Sequence, residues 1–148
     1  MRTLLVLFAL LLPASVLAQP PLVKQPLVKV YKSPTCGCCG DWVSHLEQNN
    51  FKVEAINTDN MQAIKEQAEI PPGKGSCHTA FVGNYVIEGH VPARDIQRLL
   101  EEKPDANGLT VPGMPVGSPG MEMGNRKDPY KVLLIKHDGS TEVFSEYP

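Results

Sequence analysis

The sequence predicts an α/β fold in which helices flank a mixed β-sheet. Apolar, β-branched runs at residues 27–31 and 51–56 alternate with helical patterns at 41–49 and 60–68. A Gly83-Asn84 turn joins two further strand-like runs. A cluster of cysteines falls at the first strand-to-helix junction, where open α/β sheets often place functional side chains.

The first half of the chain contains two strand-helix units. Residues 27–31 are rich in valine and end in an aromatic residue, which predicts a strand. The helix predicted at 41–49 places Trp42 and Leu46 on one face, and Trp42 is expected in the core. Asp59 or Asn60 is the expected N-cap of the second helix.

The second half of this region adds a hairpin and a helix. Residues 79–82 and 85–88 flank the turn, and a third helix is predicted from 93 to about 103. The order is β-α-β-α-β-β-α. A right-handed crossover would make the first two strands parallel, and the last two would be antiparallel. This order is that of a thioredoxin-like domain, predicted for residues 27–103.

A C-terminal extension, residues 104–148, is expected to pack on this domain. Residues 107–128 are rich in glycine, proline and methionine, which predicts a long surface loop. Residues 130–136 and 141–144 flank an Asp138-Gly139 turn, which predicts a second hairpin.

Residues 1–18 have the pattern of a secretory signal peptide, with Arg2, an apolar stretch and a small-residue cleavage site ending at Ala18. The proline-rich residues 19–26 predict a flexible arm. We therefore expect an exported protein without a membrane segment after cleavage.

Charge argues against a nucleic-acid partner. Loss of Arg2 with the leader leaves 13 basic residues against 16 acidic ones, a net charge near −3. Nucleic-acid binders usually carry a basic patch instead.

The chain contains four cysteines, Cys36, Cys38, Cys39 and Cys77. Cys36 and Cys39 have the C-x-x-C spacing of thiol–disulfide oxidoreductases, which remains the alternative function. The additional Cys38 favours metal binding, because a third neighbouring thiol invites scrambling in an exchange enzyme.

Thiolates select Cu(I), zinc or iron–sulfur centres. Copper suits the crowding better than zinc, because thiolate sulfur can bridge several Cu(I) ions. Two purely structural disulfides are a third possibility, which the clustering disfavours.

The distant Cys77 precedes the predicted third strand, in the loop that faces the C-x-x-C of a thioredoxin-like fold. His78 then takes the position where thioredoxins carry a cis-proline. His45 and His137 are expected at the surface. Further candidate ligands for a soft metal are His78, His90, Met114, Met121 and Met123.

Four segments resemble one protein family. They are SPTCGCC at 33–39, SCHTA at 76–80, EGHVP at 88–92 and VPGMPVGSPGME at 111–122. They resemble the exported, thioredoxin-like CopG family of bacterial copper-resistance proteins, over about residues 27–147.

The resemblance implies a periplasmic copper-binding protein with a cysteine-bridged multicopper cluster. Its ligands would be Cys36, Cys38, Cys39 and Cys77. The family also implies association with copper-efflux or copper-chaperone proteins, and a role in changing copper between Cu(II) and Cu(I). We expect a monomer and identify no catalytic residue, and a copper oxidoreductase activity stays open.

Overall fold

A mixed seven-stranded sheet and three helices make up the computed structural model, which describes residues 26–148. The predicted signal peptide (1–18) and all but the last residue of the predicted arm (19–26) lie outside the described residues. The elements are β1 (Val28–Lys32), α1 (Gly37–Gln48), β2 (Val53–Asn57), α2 (Met61–Gln67), β3 (His78–Val82), β4 (Tyr85–Glu88), α3 (Ala93–Glu102), β5 (Gly108–Thr110), β6 (Tyr130–Ile135) and β7 (Thr141–Tyr147).

The strands lie in the order β2-β1-β3-β4-β5-β6-β7. The β1–β2 and β4–β5 pairs are parallel, and the other neighbouring pairs are antiparallel. The α/β class, the mixed sheet and the predicted directions of the first four strands are confirmed. The predicted cap of α2 is also present, because Asn60 Oδ1 accepts the Ala63 N–H at 3.2 Å.

The helices cover both faces of the sheet. Successive side chains of a strand point to opposite faces. In β3, His78 packs against Trp42 of α1, whereas Thr79 contacts Lys65 of α2. Helix α3 begins beside α1: the Ala93 N–H at its start donates to His45 Nε2 of α1 at 3.1 Å, and the Trp42 Nε1–H donates to the carbonyl of Val91, just before α3, at 2.9 Å. Trp42 is fully buried, as predicted, within a core that includes Val28, Val30, Leu46, Ala80, Ile87, Ile96, Leu99 and Leu109.

Helix α1 begins four residues earlier than predicted, at Gly37 instead of Asp41. Glycines at positions 37 and 40 lower helix propensity, so the sequence pattern favoured a later start. As a result, Cys38 and Cys39 lie in the first turn of the helix and Cys36 is its N-cap, whereas the sequence placed all three before the helix.

The sequence did not predict β5, which lies inside the segment interpreted as a loop. It has only three residues and begins with a glycine, which is depleted in strands. A Cβ atom at Gly108 would lie 1.8 Å from the Val86 carbonyl oxygen, so only glycine permits this close approach of β4 and β5. Through β5, the C-terminal hairpin β6–β7 extends the same sheet. The residues before and after the predicted boundary at 103/104 therefore contribute strands to one continuous sheet.

Within residues 26–148, none of the helices has the length and apolarity needed to cross a membrane.

Candidate metal centre

Strand pairing brings the distant Cys77 to the cysteine cluster. Strands β1 and β3 are antiparallel, and Lys32 at the end of β1 pairs with His78 at the start of β3. Cys36 follows β1 by four residues and Cys77 directly precedes β3. The four sulfur atoms of Cys36, Cys38, Cys39 and Cys77 consequently lie within 4.8 Å of one another. The structure thus brings together all four cysteines singled out from the sequence.

Three of these sulfurs surround the N-terminus of α1. Cys36 is the N-cap residue, and its side chain makes no capping hydrogen bond. The first turn of a helix has unpaired N–H groups and a positive dipole end, which favour thiolate. Cys36 and Cys39 form a disulfide, whereas Cys38 and Cys77 are free thiols. The Cys38 sulfur lies 3.5 Å from that of Cys36. The oxidised pair has the C-x-x-C spacing of the alternative function.

His90 faces Cys77 with a defined tautomer. Its Nδ1 lies 2.8 Å from the Pro119 carbonyl oxygen, and a carbonyl only accepts, so Nδ1 carries the proton. The unprotonated Nε2 lies 3.1 Å from the Cys77 sulfur and can accept its S–H. Burial lowers the pKa of His90, which keeps the ring neutral. A second hydrogen bond that fixes ring orientation is typical of metal-ligating histidines.

His78 lies on the other side of Cys77. Its Nδ1 is 3.3 Å from the Cys77 sulfur, and its Nε2 has no hydrogen-bond partner among the described residues. The ring is fully buried, and this burial, with the nearby His90, holds its pKa well below the usual value. Cys77, His78 and His90 form a second group of donor atoms within 4.8 Å, which shares Cys77 with the first group.

The surroundings of Cys77 favour its thiol form at neutral pH. Burial, and the charge of Cys38, raise the pKa of Cys77 to about 11. The proximity of several sulfurs therefore does not by itself produce thiolate at every position. A soft cation bound between them would displace the Cys77 proton, because thiolate is the form that ligates metal.

The glycine- and proline-rich segment 111–128 lies against this centre. Gly120 has φ = +80°, and a Cβ there would lie 2.7 Å from the backbone nitrogen of Trp42 and 2.8 Å from the Cys38 carbonyl oxygen. Met121 follows it and is partly buried, whereas Met114 and Met123 are 51% and 60% exposed. The contact of Gly120 with α1 places Met121 next to the helix that carries the thiols. A ligand role of the three methionines stays a prediction.

Some residues around the site were misjudged or missed. His45, expected at the surface, is half-buried, and its Nε2 accepts the Ala93 N–H of α3 at 3.1 Å. His137 is exposed, as expected. Glu88 was not singled out, although a carboxylate that ends the apolar strand Val86-Ile87-Glu88 is an unusual feature and could have drawn attention.

Comparison with known proteins identifies the family. Two solved structures, titled "Copper resistance protein copG" forms 2 and 1, are 46% and 47% identical to the chain. Both matches have a TM-score of 0.80 and cover 84% of this chain, and they cover 99% and 98% of the solved chains. The chain belongs to the CopG family.

A second comparison covers a shorter part of this CopG-family chain. A family model described as "Protein of unknown function, DUF411" matches residues 74–121, which include Cys77, His78 and His90. No curated protein sequence matches the chain. The resemblance stated from the four sequence segments is therefore confirmed at the level of the family.

Proposed function

We propose that this chain is an exported, periplasmic copper-binding protein of copper resistance that holds several Cu(I) ions in a cysteine-bridged cluster. One observation supports this most directly. Four sulfur atoms from two distant segments converge within 4.8 Å in a chain of the CopG family. The names of the two solved relatives connect this family with copper resistance.

The donor set favours copper over zinc. Thiolate ligands select Cu(I), and imidazole also binds copper well. A zinc site would use four ligands around one ion. Here His78 and His90 add two nitrogens beside Cys77, so six donor atoms surround one small region. This number exceeds the needs of a single tetrahedral ion and suits several ions bridged by sulfur.

The Cys36–Cys39 disulfide supports a redox role for the same site. Oxidation of the two thiols to a disulfide releases two electrons and two protons. These electrons reduce two Cu(II) to two Cu(I), and Cys38, Cys77 and the histidines remain to hold the product. An external thiol reductant then restores the dithiol by exchange. Interconversion of Cu(II) and Cu(I) is thus part of the proposal.

Transfer of copper to efflux or chaperone proteins completes the proposal. Cys36, Cys38 and Cys77 are partly exposed, whereas Cys39 is buried. Ligand exchange with a partner requires sulfur that the partner's ligands can reach. We propose that the chain acts as a monomer in this transfer.

Metal analysis of the reduced protein tests the proposal. The chain is reduced anaerobically, loaded with Cu(I) and freed of excess metal. We expect more than one copper per chain, and a lower ratio in Cys77→Ser, because that sulfur belongs to both donor groups. His137→Gln is the matched control, since His137 is an exposed histidine outside these groups. A single tightly held zinc that Cu(I) does not displace would contradict the copper assignment.

Thiol–disulfide exchange is the second candidate function, and the Cys36–Cys39 disulfide is the observation that favours it. This function predicts rapid reduction of a model disulfide that depends on Cys36 and is insensitive to copper chelators. The redox-copper proposal instead predicts that Cu(II) added to the reduced protein consumes two thiols for every two Cu(I) formed.

A further inference from the structure

A buried carboxylate lies behind Cys77. Glu88 ends β4 and its side chain is fully buried. Its Oε1 accepts the Ser76 N–H at 2.6 Å and also binds the Lys65 ammonium, and its Oε2 accepts the Thr79 hydroxyl at 2.6 Å. Burying a charge is costly unless it is paired and hydrogen-bonded. Glu88 meets both conditions through these three neighbours.

The contacts of Glu88 converge on the chain around Cys77. Ser76 precedes Cys77 and Thr79 lies two residues after it, so the carboxylate contacts the chain on both sides of this cysteine, through the Ser76 N–H and the Thr79 hydroxyl. The Lys65 ammonium also donates to the Thr79 hydroxyl at 3.1 Å, which closes the network. The loop that carries Cys77 is therefore held against the end of β4 by these hydrogen bonds and the ion pair.

The same strand end determines where His90 lies. Gly89, between Glu88 and His90, has φ = +73°, and a Cβ there would lie 2.5 Å from the Ser76 Cβ. The backbone of β4 thus passes directly against the Cys77 loop and then presents His90. The 3.1 Å separation of the Cys77 sulfur and His90 Nε2 depends on this arrangement.

We infer that Glu88, supported by Lys65, is a positioning residue that holds the Cys77 sulfur against His90 for copper binding. This inference rests on the copper site proposed above. Glu88 itself lies outside both groups of candidate ligand atoms. Its carboxylate acts through the Ser76 N–H, as hydrogen-bond partners of metal ligands commonly do.

The test separates positioning from general stability. Glu88→Gln keeps the volume of the side chain but removes its charge. Asp95→Asn is the matched control, because Asp95 is also a buried carboxylate, and it accepts hydroxyl hydrogen bonds from Ser145 and Tyr147 of β7. Both substitutions are expected to lower the unfolding temperature. Only Glu88→Gln should change the reactivity of the Cys77 thiol and the affinity for Cu(I).

Two readouts report on Cys77. In a Cys38→Ser background with the Cys36–Cys39 disulfide intact, Cys77 is the remaining free thiol of the described chain. Its alkylation by iodoacetamide should become about tenfold faster in Glu88→Gln, because the charged acceptor of the Ser76 N–H and the Lys65 ammonium becomes a neutral one and the loop that carries Cys77 opens more often. In the reduced chain with all four cysteines, Cu(I) affinity measured against a chelator should fall roughly 10–100-fold.

The outcomes are distinguishable. Equal alkylation rates and Cu(I) affinities in Glu88→Gln and Asp95→Asn would overturn the inference. If Glu88→Gln does not fold, Lys65→Gln replaces it, and wild-type alkylation and affinity in that variant would overturn the inference equally. If the wild-type chain binds no copper, the proposed function fails, while the alkylation rates of the metal-free protein still decide whether Glu88 positions Cys77.

Discussion

The indole ring of Trp42 packs over the imidazole of His78, with ring centroids 4.3 Å apart and planes tilted by 40°. Trp42 is the single tryptophan of the chain. It therefore provides an intrinsic fluorophore in contact with one of the candidate ligands.

Copper binding should quench the fluorescence of Trp42. Copper held by Cys77 and the adjacent histidines would lie close to the indole, and titration of the reduced protein with Cu(I) measures the effect. In Cys77→Ser the quenching should require higher copper concentrations. Unchanged emission throughout a titration that loads copper would place the metal away from His78.

The substitution Gly120→Ala should detach segment 111–128 from helix α1. The added Cβ would clash with the backbone nitrogen of Trp42 and the carbonyl oxygen of Cys38. In addition, φ = +80° is unfavourable for alanine. We expect a loss of about 1–3 kcal/mol in the free energy of unfolding, measured by urea denaturation.

Gly124→Ala is the control for this substitution. Gly124 also has positive φ, but a Cβ there would meet no atom within 4 Å. The difference between the two variants isolates the contact with α1 from backbone strain. Equal destabilisation would show that the contact contributes little.

His45 should make the stability of the protein pH-dependent. Burial lowers the pKa of His45 below its usual value of 6.5, although the nearby Glu122 carboxylate opposes this shift. As the pH falls through 6.5, the unfolded chain therefore takes up the proton before the folded chain does. The stabilising contribution of the neutral ring is present above this pH and is lost on acidification.

Urea denaturation at about pH 7 and about pH 5 measures this effect. The wild-type chain should lose more stability on acidification than His45→Gln, which has no titrating ring at this position. His137→Gln, an exposed histidine variant, should retain the wild-type slope. Identical slopes in wild type and His45→Gln would exclude His45 as a source of the pH dependence.

Hydrogen bonds from β7 to the Asp95 carboxylate should stabilise the packing of β7 against α3. Its carboxylate accepts the Ser145 hydroxyl at 2.6 Å and the Tyr147 hydroxyl at 2.5 Å. Tyr147→Phe removes one donor to a buried charge and should cost about 1–3 kcal/mol, measured by thermal unfolding. Tyr31→Phe is a comparison outside this network. If Tyr147→Phe left the free energy of unfolding unchanged, a water molecule would have replaced the lost hydroxyl.

The local sequence was sufficient for most of the fold. Valine-rich runs, the Gly83-Asn84 turn and the Asn60 cap each act within a few residues, so their signals are visible in the sequence alone. The three-residue β5 was not visible, because its pairing with β4 and β6 is a tertiary contact that overrides the weak strand propensity of glycine.

The candidate site was predictable by residue type but not by contact. Three cysteines within four residues indicate a soft-metal site, and the expected position of Cys77 followed from the strand order. The pairing of Cys77 with His90 depends on the Pro119 carbonyl, which comes from the C-terminal segment. The position of a backbone oxygen cannot be predicted from residue type. Likewise, the role of Glu88 becomes visible only from its contacts in the folded protein.

The three-residue strand β5 makes the C-terminal extension indispensable to the rest of the chain. It lies between β4 and β6, with parallel pairing on one side and antiparallel pairing on the other. A chain that ended at residue 103 would leave β4 with a row of bare N–H and C=O groups, which attract other strands. Losing β5 would therefore turn the interior strand β4 into an unprotected edge strand, which favours aggregation.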